Sequence, residues 1–151
     1  MRHRLTLALL AVVAFSFVLV GPVLGAQPIE KNKAGLALDG WDTVSYFDGK
    51  PVPGKAEFTK DWNGATWRFA TSAHRDAFAA SPEKYAPQYG GHCAYGLAKG
   101  HLVTADPTIW KVVGGKLYVN YDKGVQKSWE KDQAKFIVDA DKEWKDLANK
   151  N

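Results

Sequence analysis

The sequence predicts a small α+β domain with two antiparallel β-hairpins, short helices between them and a C-terminal amphipathic helix. Two observations indicate the hairpins: runs of alternating apolar and polar residues meet at Asn63-Gly64, and two more runs flank Gly114-Gly115. A third observation indicates the helix, because apolar residues after Tyr121 recur with a period near 3.6. Strands that come in hairpins exclude a doubly wound parallel sheet, which needs a crossover helix between single strands.

The first hairpin spans residues 57–70. Asn63-Gly64 is the dipeptide preferred in a two-residue type I′ turn, because both central positions need positive φ. One face of the resulting ribbon is apolar apart from Lys60, and the other is polar. The predicted cross-strand pairs are Trp62 with Ala65, Lys60 with Trp67, and Phe58 with Phe69.

Helix signals follow the first hairpin. Thr71 or Ser72 can cap a short helix that carries Phe78, and Ser81-Pro82 begins another helical turn. In the second hairpin, Trp110 and Val112 are predicted to pair with Val119 and Leu117. The C-terminal helix carries an apolar stripe made of Val125, Trp129, Phe136, Ala140, Trp144 and Leu147.

The N-terminus is typical of a secretory signal peptide. Arg2 and Arg4 precede an apolar run, and Gly25-Ala26 supplies the small residues that precede cleavage. We therefore predict a signal peptide over residues 1–26, a polar leader over 27–39 and one domain over 40–148. The mature protein is expected to be periplasmic or secreted and not to bind a membrane after cleavage. An uncleaved membrane anchor is the alternative, because the apolar stretch is nearly long enough to span a bilayer.

Composition excludes several functions. The chain of 151 residues has 20 Lys and Arg against 16 Asp and Glu, a formal net charge of +4. No stretch supplies the clustered positive charge that a nucleic-acid binder needs, so no nucleic-acid partner is expected. The single cysteine excludes an internal disulfide and a four-thiolate zinc site.

The segment of residues 89–101 concentrates reactive side chains. It holds the only cysteine, Cys93, together with His92 and His101, and glycines lie on both sides of the thiol. If a helix begins at this point, its dipole favours a thiolate. Thiolate and imidazole together bind copper or zinc. His101 comes near the same side if a two-turn helix intervenes.

Other interpretations of this segment remain open. A lone cysteine between small residues is commonly a core residue, and the histidines can serve only as hydrogen-bonding groups. A catalytic trio of Cys93, a histidine and Asp106 can be assembled, but any chain of this size offers such a trio. There is no zinc-protease, haem-attachment or phosphate-binding motif. A binding domain is favoured over an enzyme.

Four segments together resemble the YHS domain. They are residues 40–47, the hairpin end Trp67-Arg68-Phe69, residues 72–78 and residues 81–85. The likeness extends over residues 40–147 and is greatest to an exported bacterial branch of the family, which adds a Gly-Gly-x-Cys-Ala-Tyr-Gly segment and a Trp-rich C-terminal helix.

The resemblance implies a metal-handling fold whose usual ligands have changed. Short YHS domains carry cysteines in an Asp-Pro-Val-Cys-Gly-Met box and in a Phe-Cys-Ser-x-x-Cys box. In this sequence Ser45 stands at the cysteine of the first box, and Ala70 and His74 stand at the cysteines of the second. Only His74 keeps a ligating group.

Metal binding is the leading prediction. The expected ligands are Cys93, His92 and His101, with His74 from a neighbouring helix, and the expected ion is copper or zinc, or otherwise no cofactor. The alternatives are a thiol-redox protein that uses Cys93 and an interaction domain without a ligand. The partner is thus a metal ion or a small ligand, and the sequence predicts no particular oligomeric state.

Overall fold

The structure is a computed structural model that describes residues 28–149. It has two two-stranded antiparallel sheets with helices around them, which confirms the predicted α+β class. Strand β1 (Lys55–Trp62) pairs with β2 (Ala65–Phe69), and β3 (Asp106–Val113) pairs with β4 (Lys116–Asn120). The signal peptide over residues 1–26 lies outside the described residues and stays a prediction.

The first hairpin turns at Asn63 and Gly64, as predicted. Their φ angles are +51° and +77°, and both positions of a type I′ turn require positive φ. The register near the turn confirms two predicted pairs, Trp62 with Ala65 and Lys60 with Trp67.

The predicted pair of Phe58 with Phe69 is wrong. The register shifts between Lys55 and Thr59, which places Phe69 opposite Lys55. A bulge of this kind sets extra residues of one strand against a single residue of its partner. The apolar face survives the shift, because Phe69 is fully buried and Phe58 packs against the same core.

The second hairpin has the predicted register. Its turn lies at Gly114 and Gly115, which both have positive φ. The cross-strand pairs are Trp110 with Val119 and Val112 with Leu117.

Three short α-helices lie between the hairpins: α1 (Ser72–Ala80), α2 (Pro82–Tyr85) and α3 (Ala94–Ala98). The hydroxyl of Thr71 caps α1 by accepting a hydrogen bond from the N–H of His74 at 3.1 Å. Phe78 on α1 is fully buried. Three 3-10 segments complete the connections, at Leu38–Gly40, Thr43–Asp48 and Gln88–Gly91.

The C-terminal apolar stripe lies on two helices, α4 (Lys123–Glu130) and α5 (Gln133–Asn149), which are interrupted at Lys131-Asp132. Trp129 and Ala140 on this stripe are fully buried. Helix α5 packs on α3 and so covers the Cys93 segment. Among residues 28–149, no helix combines the length and apolarity needed to cross a membrane.

Three groups of buried residues form the core. One lies under the first hairpin and contains Trp67, and a second lies between α3 and the C-terminal helices and contains Trp129. The third joins the second hairpin to the 3-10 segments through Tyr46 and Leu117. Val44 belongs to the first group and Tyr46 to the third, so the 3-10 segment Thr43–Asp48 packs in the cores of both hairpins.

Candidate functional site

Asp42 is a buried carboxylate at the junction of three elements. Its Oδ1 accepts hydrogen bonds from the N–H groups of Val44 at 3.0 Å and Ser45 at 3.3 Å, which caps the 3-10 segment Thr43–Asp48. Its Oδ2 accepts from the N–H of Ala70 at 2.8 Å, just beyond β2. Asp42 has 0% exposure, so these bonds form in a water-poor environment that strengthens them.

His74 on α1 completes the bonds of this carboxylate. Its Nδ1 lies 2.7 Å from Oδ2 of Asp42, and because a carboxylate only accepts, the ring donates Nδ1–H. Its other nitrogen, Nε2, lies 3.7 Å from Oδ2 of Asp48. The His74 side chain is 26% exposed, and that of Asp48 is 66% exposed. Asp42 therefore orients the imidazole with its acceptor nitrogen beside a surface carboxylate.

This arrangement fits one part of a metal site. A histidine that ligates a metal through Nε2 commonly donates its Nδ1–H to a carboxylate, as His74 does to Asp42. Two ligand atoms of a tetrahedral zinc lie about 3.4 Å apart, given bonds of about 2.0–2.1 Å, and the 3.7 Å between His74 and Asp48 is close to that value. The residues supply two donors at this point, one nitrogen and one carboxylate.

Ser45, which stands at the cysteine position of the first box, is not free to ligate a metal. Its hydroxyl donates to the carbonyl of Asp42 at 2.6 Å and accepts from the N–H of Val52 at 3.0 Å. The hydroxyl is therefore committed to the backbone and holds the 3-10 segment in place.

Cys93 caps α3, as the helix prediction requires. Its Sγ accepts a hydrogen bond from the N–H of Gly96 at 3.4 Å and donates to Oδ1 of Asn120 at 3.6 Å. The same Asn120 oxygen accepts from the N–H of Tyr95 at 3.1 Å. Cys93 is 1% exposed, so the thiol is a buried group with two partners.

The two histidines near Cys93 lie in different surroundings. Nδ1 of His92 lies 3.0 Å from the carbonyl oxygen of Tyr89, and the ring is buried beside Trp144. His101 is exposed. Helix α3 ends at Ala98 after five residues, which is shorter than the two turns expected to bring His101 towards the thiol.

The four predicted ligands do not form a preassembled site. Within residues 28–149, no hydrogen bond or ion pair joins any two of His74, His92, Cys93 and His101. In the same part of the chain, no group of three or more His, Cys, Asp or Glu side chains is arranged to hold a metal ion. Metal binding through Cys93, His92 and His101 stays a prediction.

Burial governs the electrostatics around His92. The N–H of Glu30 donates to the carbonyl of Gly90 at 2.9 Å, which holds Glu30 against this segment. Burial raises the pKa of Glu30, and the nearby His92 and a hydrogen bond from Thr104 partly oppose that rise. Burial, followed by the hydrogen bond to Asp141, also raises the pKa of Tyr89 above its ordinary value, so the phenol stays protonated.

Three residues around His74 and Cys93 were not predicted from the sequence. Asp42 lies in the segment of residues 40–47 that resembles the family, and its role as a cap was not predicted, although an Asp directly before a short helical segment is a capping signal. Asp48 lies in a turn-like Asp-Gly-Lys stretch that carries no ligand signal. Asn120 is 27 residues from Cys93 in the sequence, and no local pattern joins the two.

Residues 43–89 match the family model of the YHS domain. The match begins directly after Asp42 and includes Ser45, Ala70 and His74, the positions compared with the family's cysteine boxes. No curated protein and no solved structure was found to match the chain.

Proposed function

Because the chain carries a YHS domain, we propose that it is a small binding domain that takes up a transition metal ion, copper or zinc, with Nε2 of His74 as its principal ligand. One observation carries this proposal. The imidazole is anchored through Nδ1 to buried Asp42 and presents Nε2 beside the carboxylate of Asp48 at the surface.

Each residue of the proposed site has a distinct task. His74 supplies a nitrogen donor and Asp48 an oxygen donor, and both types suit Cu²⁺ and Zn²⁺. Asp42 fixes the tautomer and the orientation of the ring through its contact with Nδ1. Bound metal would link α1 to the 3-10 segment Thr43–Asp48 at the protein surface.

Because the protein supplies two ligands at this point, we expect the metal ion to bind weakly. Water or a partner molecule would supply the remaining ligands. Structural zinc sites use four protein ligands, and catalytic zinc sites use three. Divalent copper generally binds nitrogen and oxygen ligands more tightly than zinc does. We therefore expect Cu²⁺ to bind more tightly than Zn²⁺, and both ions to exchange readily.

Equilibrium dialysis at fixed free Cu²⁺ or Zn²⁺ tests the proposal. The His74→Ala variant should lose most of the uptake, and Asp48→Asn should weaken it without disturbing the fold, because Asp48 is exposed. His101→Ala is the matched control, because it also removes one imidazole, in this case from an exposed position.

Cys93→Ser separates the two candidate sites. Uptake that survives Cys93→Ser and is lost in His74→Ala supports the proposed site. Uptake that survives both His74→Ala and Asp48→Asn but is lost in Cys93→Ser contradicts it and favours the ligands predicted around Cys93. Circular dichroism of each variant shows whether the fold is intact.

A further inference from the structure

The turn of the first hairpin places an asparagine directly before a glycine at the protein surface. Asn63 and Gly64 are both exposed, and a Cβ built on Gly64 meets no atom within 4 Å. Within residues 28–149, no hydrogen bond engages the side-chain amide of Asn63. This amide and the backbone of Gly64 are therefore open to water.

An asparagine in this position can lose its side-chain amide by reaction with its own backbone. The Gly64 nitrogen gives up its proton and bonds to Cγ of Asn63, and the side-chain nitrogen leaves with that proton as ammonia. The product is a five-membered succinimide ring. Water then adds to one of the two ring carbonyl groups and opens the ring, which leaves aspartate or isoaspartate at position 63. Glycine hinders the attack least, because it has no Cβ.

The type I′ turn holds the two reacting atoms apart. The φ angles of Asn63 and Gly64, +51° and +77°, are those of this turn, in which the first central residue has a ψ of about +30°. At this ψ the Gly64 nitrogen lies about 150° from Cβ of Asn63 around the Cα–C bond, almost on the opposite side. Ring closure requires the nitrogen and Cβ on the same side, so the turn must open before Gly64 can attack.

Contacts on both sides of the turn resist this opening. Trp62 and Ala65 pair directly beside it, and the carbonyl oxygen of Trp62 accepts a hydrogen bond from the ring N–H of Trp67 at 3.0 Å. Nζ of Lys31 donates to the carbonyl oxygen of Gly64 at 2.8 Å, so the leader also holds the turn. Local opening of a surface turn nevertheless costs less free energy than unfolding of the whole domain.

We propose that Asn63 is a site of spontaneous deamidation and that opening of the type I′ turn limits the rate. The reaction consumes water and releases ammonia, and it does not depend on the proposed metal binding.

The two products have different effects on the hairpin. Asp-Gly is also a preferred dipeptide of the type I′ turn, so the aspartate product keeps the turn. Isoaspartate carries the main chain through its side-chain carbons, which lengthens the main chain by one atom and does not fit a two-residue turn. The modification therefore weakens the first hairpin through its isoaspartate product.

Incubation of the purified protein at neutral pH, followed by peptide mass spectrometry and detection of isoaspartate, tests the proposal. Asn63 should deamidate faster than Asn32 and Asn120, which both precede residues with bulky side chains. The reaction at Asn63 should be at least about tenfold slower in the native protein than in the same chain unfolded in guanidinium chloride, because the turn must open first.

Two variants separate the chemistry from the conformation. In guanidinium chloride, Gly64→Ala should slow deamidation of Asn63, because the added Cβ hinders the attacking nitrogen. Asn63→Asp reproduces the aspartate product and should unfold at nearly the same denaturant concentration as the wild type. The isoaspartate fraction, separated from aged protein, should unfold at a lower concentration.

Any of three results would overturn the proposal. The first is deamidation at Asn63 that is no faster than at Asn32 in the native protein. The second is an equal rate at Asn63 in the native and the unfolded chain, and the third is an isoaspartate fraction that is as stable as Asn63→Asp.

Discussion

Nδ1 of His74 lies 2.7 Å from Oδ2 of Asp42, although 32 residues separate them in the sequence. The contact joins α1 to the 3-10 segment Thr43–Asp48, and the same carboxylate also holds the end of β2 through the N–H of Ala70. In the short YHS domains that this chain resembles, cysteines occupy the positions of Ser45, Ala70 and His74. A buried carboxylate and its hydrogen bonds link those segments here.

Removal of the Asp42 carboxylate should destabilise the domain strongly. Asp42→Ala leaves three backbone N–H groups and the His74 ring without their acceptor, so we expect the free energy of unfolding to fall by about 2–4 kcal/mol. Asp48→Ala is the control, because that side chain is 66% exposed, and it should change stability by no more than about 0.5 kcal/mol. Chemical denaturation measures both, and similar values for the two variants would refute the role assigned to Asp42.

Cys93 should react with an alkylating reagent only when the protein unfolds. The thiol is 1% exposed and bonded to Gly96 and Asn120. Modification should therefore be slow in native protein and accelerate through the denaturation transition. Rapid alkylation of the native protein would instead favour the thiol-redox alternative, which requires an accessible thiolate.

Two substitutions of Cys93 should differ in their effect on stability. In Cys93→Ser the hydroxyl can make both hydrogen bonds of the thiol, so the free energy of unfolding should fall by about 1 kcal/mol or less. Cys93→Val leaves the Gly96 N–H without an acceptor and should cost about 1–3 kcal/mol. If Cys93→Ser lowered the free energy of unfolding more than Cys93→Val does, the hydrogen bonds of Cys93 would not be what stabilises this segment.

Gly90 should tolerate a side chain much less well than Gly64. Both have positive φ, +63° and +77°, but a Cβ at Gly90 would lie 2.3 Å from the carbonyl oxygen of Pro28, whereas one at Gly64 meets no atom within 4 Å. Gly64→Ala should lower the free energy of unfolding by about 1–2 kcal/mol through backbone strain alone. Gly90→Ala should lower it by about 2–5 kcal/mol, because the clash is added. Equal losses in thermal or chemical unfolding would show that the leader does not pack on Gly90.

Glu30 should make stability depend on pH. Burial raises its pKa above the ordinary value of 4.5 in the folded protein, so the folded state holds this proton more tightly than the unfolded state. Stability contributed by the protonated form is therefore lost as the pH rises above about 4.5, through the pKa of the folded state. Glu30→Gln removes this titration, and its stability relative to the wild type should increase over that interval and then level off. Unfolding curves from pH 4 to 8 measure the difference, with Glu57→Gln on exposed β1 as the control, and a difference that does not change with pH would contradict the account.

The hairpins were predictable because their signals are local. Asn63-Gly64 and Gly114-Gly115 determine the turns, and the alternation of apolar residues determines which face is buried. The register shift between Lys55 and Thr59 was not predictable, because it changes the pairing without changing which residues are apolar. The interruption at Lys131-Asp132 was missed for a similar reason, since the apolar stripe continues across it.

The candidate site was only partly predictable. His74 was identified because it stands where the second cysteine box of short YHS domains has a cysteine, and because histidine can also ligate a metal. The partners that give Cys93 and His74 their surroundings, Asn120 and Asp42, come from distant parts of the chain. Tertiary packing brings them together, and neither spacing nor periodicity encodes such contacts.

The most direct test of the central claim is a zinc titration followed by the ¹⁵N resonances of the histidine side chains. We predict that Nε2 of His74 shifts most, that its Nδ1 stays protonated and bonded to Asp42, and that the nitrogens of His92 and His101 do not respond. A shift at His92 or His101 with no change at His74 would contradict the account.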